Sequence, residues 1–183
     1  GQGVLLPDAR FLSAFHGLPG NQALAMVSGE TLFVGTPSGL GAIAGSKVAW
    51  RTTAGDGKLP HPWITALALF KDSLFVGTYG GGVTRRSKPQ AQESPVGIFD
   101  PFLETQGFKV NTGCLVEAAG RLFLGTDGMG LYRLNTEGNR FVPLKVPLPS
   151  PRVTALLQDR DWLYVGTDEG LARLPLSILR EGN

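Results

Sequence analysis

The segment Leu32-Phe33-Val34-Gly35-Thr36 is written into this chain four times. It returns as Leu74-Phe75-Val76-Gly77-Thr78, Leu122-Phe123-Leu124-Gly125-Thr126 and Leu163-Tyr164-Val165-Gly166-Thr167, with the glycines 42, 48 and 41 residues apart. A unit recurring at such a period is one supersecondary element that buries its apolar face only by stacking on its neighbours. The period is too long for ankyrin or leucine-rich units. The copies are short, aromatic and β-branched, without the spacing of a helical repeat. The chain is therefore a repeat protein made of short strands.

A second short apolar run precedes each copy: Ala23-Leu24-Ala25-Met26, Ile64-Thr65-Ala66-Leu67, Thr112-Gly113-Cys114-Leu115 and Val153-Thr154-Ala155-Leu156. Turn formers such as Lys71-Asp72-Ser73 and Ala119-Gly120-Arg121 separate the two runs, so each pair reads as a β-hairpin. After Gly-Thr comes a second tight turn ending in glycine and an aliphatic residue, as in Pro37-Ser38-Gly39-Leu40 and Asp168-Glu169-Gly170-Leu171. Glycine there supplies the positive φ that such turns need. A third strand follows, clearest as Leu131-Tyr132-Arg133-Leu134, and then a more variable fourth near residues 48–51, 96–99 and 141–145. Pro143 inside the last of these suits an outer edge, where a missing N–H costs least.

Four antiparallel strands per period of about 45 residues is the pattern of a β-propeller blade. The expected fold is all-β, a single propeller domain over residues 1–183 with about four blades centred on Gly35, Gly77, Gly125 and Gly166. The third position of the inner strand is Ala25, Ala66, Cys114 or Ala155, small in every copy, as strands converging on an axis require. Cys114 is then a core residue, and Phe33, Phe75, Phe123 and Tyr164 form a column packed between blades.

The repeat resembles the two-component regulator propeller family, whose motif runs Gly-Leu-Pro-Ser-Asn-x-Val, then Asp-x-x-Gly-x-Leu-Trp-Ile-Gly-Thr, then Gly-Leu and a basic residue. This chain carries Gly17-Leu18-Pro19-Gly20-Asn21, Leu148-Pro149-Ser150-Pro151-Arg152-Val153 and Gly166-Thr167-Asp168-Glu169-Gly170-Leu171-Ala172-Arg173. The family's Trp is Phe or Tyr in every copy, and Leu-Pro is absent from the third. The resemblance implies a propeller used for sensing outside the cytoplasm, periplasmic or extracellular.

Seventeen candidate strands are one more than a closed four-bladed ring requires. Closure is expected to place residues 11–15 as the outer strand of the last blade, with Ser177-Ile178-Leu179 as a second candidate for that place. The alternatives are a piece of a larger ring and a half-ring that pairs with a second chain as a homodimer. Residues 84–94 read as a polar insertion, with Arg85-Arg86-Ser87-Lys88 as a solvated loop, and residues 102–108 as a short helix or irregular turn.

Charge excludes one class of partner. The net charge is +2, only 17% of residues are charged, and no run of like charges forms a basic stripe, which argues against nucleic acid. No 18-residue apolar run marks a membrane span. Catalytic signatures are also missing: there is no nucleophile elbow, phosphate loop or dinucleotide fingerprint, and one cysteine with two histidines is a poor start for a metal site. Neither a cofactor nor a metal is expected.

Strand alternation puts the Gly-Thr turns and the blade-to-blade loops at one end of the ring, where propellers present residues that vary between copies. Those residues are Gln22, Trp63, Asn111 and Arg152 before the inner strands, and Tyr79, Asp127, Met129 and Asp168 in the turns, with His61 a step outward. An indole, amides, a guanidinium and carboxylates around one opening suit a small polar or sugar-like ligand, or a protein partner. The other readings are a hydrolase or lyase using Asp127, Asp168 or His61, and a structural, self-assembling module.

Overall fold

The computed structural model describes residues 3–87 and 99–180, and these form only antiparallel sheets, short 3-10 turns and one terminal helix. The first four-stranded sheet runs β3 (Ala25–Ser28), β4 (Leu32–Thr36), β5 (Gly39–Ala44) and β6 (Lys47–Thr52), after a two-stranded ribbon of β1 (Val4–Leu5) and β2 (Phe11–Leu12). The second sheet is β7 (Ile64–Phe70), β8 (Ser73–Thr78), β9 (Gly82–Ser87) and β10 (Asp100–Pro101). The third is β11 (Val110–Ala118), β12 (Arg121–Thr126), β13 (Gly130–Leu134) and β14 (Phe141–Pro143). The fourth has three strands, β15 (Val153–Asp159), β16 (Trp162–Thr167) and β17 (Gly170–Pro175), followed by helix α1 (Leu176–Arg180).

Both halves of the Gly-Thr pair have a physical reason. Each threonine hydroxyl closes the turn that follows it: Thr36 Oγ1 donates to the Gly39 carbonyl at 3.0 Å, Thr78 to Gly82 at 3.0 Å, Thr126 to Gly130 at 2.8 Å and Thr167 to Gly170 at 2.9 Å. The glycine that ends each turn has positive φ, from 78° at Gly82 to 144° at Gly170. The glycine of the pair makes room for the next sheet. A Cβ built at Gly35 would lie 2.6 Å from Ile64 Cγ2, one at Gly77 would lie 2.9 Å from Val110 Cγ1, and one at Gly125 would lie 2.5 Å from Val153 Cγ1. The inner strands β7, β11 and β15 thus each open with a β-branched residue seated on the glycine of the sheet before it.

The sheets stack face to face in chain order, with β3 packed on β7, β7 on β11 and β11 on β15. Side chains tie these neighbours together. Thr65 Oγ1 donates to the Val110 carbonyl at 2.6 Å, and Asn111 Nδ2 donates to the Val153 carbonyl at 2.7 Å. Phe33, Phe75 and Phe123 are buried between sheets, and Cys114 is fully buried in the small-residue column opposite Gly125.

Several expectations require correction. Residues 11–15 do not edge the last sheet: β2 pairs with β1, and the ribbon packs through Val4, Leu6 and Leu12 on Leu18, Val34 and Ile43 of the first-sheet region. Ser177-Ile178-Leu179 lies in helix α1, where Leu176 and Leu179 are buried against the fourth sheet. Among the described residues β15 does not pack on β3 as the inner strands of consecutive sheets pack on one another, and the back face of the fourth sheet is left uncovered at Leu157 and Leu171, so the four sheets stack as an open row. Arg85 and Arg86 belong to strand β9 rather than a solvated loop. Arg86 is 1% exposed, with its guanidinium 4.7 Å from the Trp50 ring and 5.7 Å from Phe99. The outer strand of the second sheet is Asp100–Pro101, and the expected position at residues 96–99 falls largely outside the described residues. Residues 102–108 hold a 3-10 turn at Leu103–Thr105.

Candidate functional site

The turns after the second and third Gly-Thr pairs each meet two chain segments, the entry to their own inner strand and the entry to the next, and the turn after the fourth meets the entry to its own. The Tyr79 N–H donates to the Trp63 carbonyl at 3.1 Å, that of Asp127 to Lys109 at 2.8 Å and that of Asp168 to Arg152 at 3.3 Å. Single β-bridges then join Tyr79 to Lys109 and Asp127 to Arg152, across the junctions between sheets. Backbone geometry therefore sets six side chains in a row along one end of three sheets: Trp63, Tyr79, Lys109, Asp127, Arg152 and Asp168.

The side chains of that row touch in order. The Trp63 and Tyr79 rings lie 5.9 Å apart at 35°, and Trp63 is 48% exposed. Lys109 Nζ stands 5.6 Å from the Tyr79 ring centre, and Tyr79 Oη donates to Asp127 Oδ2 at 3.3 Å. Arg152 Nε lies 3.0 Å from Asp127 Oδ1 and 3.6 Å from Asp168 Oδ2, so one guanidinium bridges carboxylates from two sheets. The Asp127 side chain is mostly covered, whereas that of Arg152 is well exposed, so the arginine presents its remaining donors to solvent. The row offers an aromatic surface, carboxylate acceptors and a cationic fork within one strip.

Five of the nine residues singled out from the sequence fall in this row: Trp63, Tyr79, Asp127, Arg152 and Asp168. His61 lies beside it, with Nδ1 accepting the Trp63 N–H at 3.2 Å and its side chain against the Gly80–Gly81 turn. Met129 is exposed on the Asp127 turn, its N–H bonded to Thr126 Oγ1 at 3.1 Å. Gln22 is exposed ahead of β3 in the first sheet. Asn111 is a strut between inner strands rather than a rim residue, and Lys109 stands where Asn111 was expected.

The cause of that exchange is a register shift. Between Val110 and Leu115 the β11–β12 ladder is interrupted, with Gly113 at φ 74°, and the extra residues move Asn111 inward along the strand. Gly113 inside an apolar run was the available signal, since an isolated strand glycine marks a bulge. Among the described residues no group of three or more His, Cys, Asp or Glu is placed to hold a metal ion, and no helix is long and apolar enough to cross a membrane.

Stacked antiparallel sheets of four and three strands with this site at one end define an all-β chain of propeller type, and comparison with solved structures agrees. The extracellular domain of the putative hybrid two-component system BT3049 from B. thetaiotaomicron matches 100% of this chain with a TM-score of 0.67 at 19% identity. The chain spans 24% of that domain's length. The computationally designed Ika4 protein matches 84% of this chain and 91% of its own at TM-score 0.58 and 13% identity. The β-propeller domain of Myceliophteria thermophila Cps50 (Swd1) gives TM-score 0.58 at 17% identity, over 83% of this chain and 50% of its own. At these identities the likeness is one of fold. No protein-family model and no curated protein sequence matches the chain.

Proposed function

We propose that this chain is a non-catalytic recognition module of an extracytoplasmic sensor, binding a small polar, sugar-like ligand along the strip from Trp63 to Asp168. The observation that carries the reading is the contact chain Trp63–Tyr79–Asp127–Arg152–Asp168, which spans three sheets. A half-exposed indole stacks on the apolar face of a pyranose, while carboxylates and a guanidinium hydrogen-bond to hydroxyl groups around it. Recognition suits this set better than catalysis. The two carboxylates share one arginine, and His61 Nδ1 is taken up by the backbone of Trp63. The sensing context is supported by the repeat's resemblance and by the fold shared with the BT3049 extracellular domain.

The test is calorimetric screening against a panel of neutral and acidic oligosaccharides and polar metabolites. Binding without turnover is expected. Trp63→Ala should weaken it by at least about tenfold, the loss of one stacked ring, with an unchanged circular dichroism spectrum. Turnover abolished by Asp127→Asn would establish the hydrolase or lyase instead. Binding indifferent to both Trp63→Ala and Arg152→Ala would remove this strip from the account.

A further inference from the structure

Among the described residues the interface between consecutive sheets occurs three times, and the residues that build it recur a fourth time uncovered. On the first three sheets the back face is set by Gly35, Gly77 and Gly125, by Phe33, Phe75 and Phe123 on the same strands, and by Leu40, Val83 and Leu131 on the third strands. All of these are buried by the sheet that follows. The fourth sheet repeats the set as Gly166, Tyr164 and Leu171, with Leu157 on its inner strand. Here Leu171 is 65% exposed, Leu157 62% exposed and Tyr164 only part-covered. A Cβ at Gly166 would meet only Ala155 and Thr154 of its own sheet, at 3.4 and 3.5 Å, where the other three glycines meet an Ile or Val of the next.

The opposite end of the row carries the matching half. The front face of each later sheet presents Leu67, Leu115 or Leu156, all buried at 9% or less. Their counterpart on β3 is Met26, paired opposite Val34 as Leu67 is opposite Val76, and it is 57% exposed. Ala23, also exposed, stands where Ile64, Val110 and Val153 stand in the later sheets. The β1–β2 ribbon covers Val34 and Ile43, the outer part of this front face, and leaves the inner part bare.

We infer that the back face of the fourth sheet docks the bare inner part of the front face of the first sheet of a second copy, head to tail, with β15 and β16 of one chain against β3 of the other. The contact continues the interface already built three times within the chain. Because Ala23 replaces a β-branched residue over the glycine, this contact is looser than the internal ones.

Sedimentation velocity from about 1 to about 100 µM tests this, since a contact whose Kd lies in that span dissociates across it. Mass above that of one chain, rising with concentration, is expected. Leu157→Glu and Met26→Glu, both at exposed positions, should each reduce it to a single chain with the circular dichroism spectrum kept. An equimolar mixture of the two variants should recover a pair, because each retains the face that the other has lost. Ala23→Val should tighten association by about tenfold, the worth of two buried methyl groups. A single-chain mass for both the wild type and Ala23→Val would overturn the inference. So would loss with Leu157→Glu but not Met26→Glu, which marks a symmetric back-to-back contact, or association that survives both substitutions.

Discussion

Cys114, the chain's single cysteine, shows what a residue's place in the stack does to its chemistry. Its side chain is fully buried beside Gly125 of its own sheet and faces Val153 of the next, whose carbonyl lies 3.8 Å from Sγ. Burial pushes the thiol from its ordinary 9.0 up to about 12, because a thiolate there would lose its water without gaining a cation. The folded state therefore keeps the proton while the unfolded chain releases it above 9.0. Stability is complete below that point and falls as pH rises toward 12, by at most about 1.4 kcal/mol per pH unit. Urea midpoints for the wild type and Cys114→Ala should thus separate as pH rises from about 7.5 to about 10.5, with the wild type losing more. Parallel curves would show that the thiol is already ionised or solvated in the fold. The residue's core role was legible in the sequence because Ala25, Ala66 and Ala155 occupy the same column. The role of Asn111 was not, because Gly113 marks a bulge in β11 without saying how many residues it inserts.

At the scale of elements, the glycine of each Gly-Thr pair belongs to the contact between two sheets rather than to its own strand. The four copies look alike in sequence and differ only in what lies across from them. At Gly125 a new methyl group would be driven to 2.5 Å from a Val153 side chain that branches at Cβ and has no flexible end to move aside. Overpacking of that kind costs about 1–3 kcal/mol. At Gly166 the nearest atoms lie at ordinary contact distance, and an alanine in a strand interior is favoured over glycine by about 0.5–1 kcal/mol. Gly125→Ala should therefore lower the urea midpoint while Gly166→Ala leaves it equal or raises it. Equal losses at both positions would mean that the glycines serve strand geometry and not the stacking. The hairpins, turns and aromatic column were readable beforehand, since strand period and turn chemistry are local. The ends of the row were not. Residues 11–15 and 177–179 are short apolar runs, and only tertiary packing decides that the first pairs with β1 and the second coils into α1 against β17. Arg86 misled for the same reason, a cation in sequence that becomes filler between Trp50 and Phe99.

For the whole molecule, an open row of stacked sheets has interior and terminal members, and stability in such a quasi-one-dimensional array is a sum over neighbours. The second and third sheets are covered on both faces, and the largest apolar cluster runs from Ala66 and Phe75 through Leu122 and Phe123 to Val165. The fourth sheet has a bare back face, and β17 pairs only with β16 among the described residues. Native-state hydrogen exchange should consequently be slowest in β8 and β12 and faster in β16, although each of these three strands is paired on both sides. Local opening that needs few buried contacts to break costs less than the global unfolding free energy. The difference between the two groups should narrow when chain concentration is raised, because a docked second copy would bury the face around Gly166 and Leu157. Uniform protection at low concentration would instead show that the row unfolds as one cooperative unit, with its terminal sheet held as firmly as its centre.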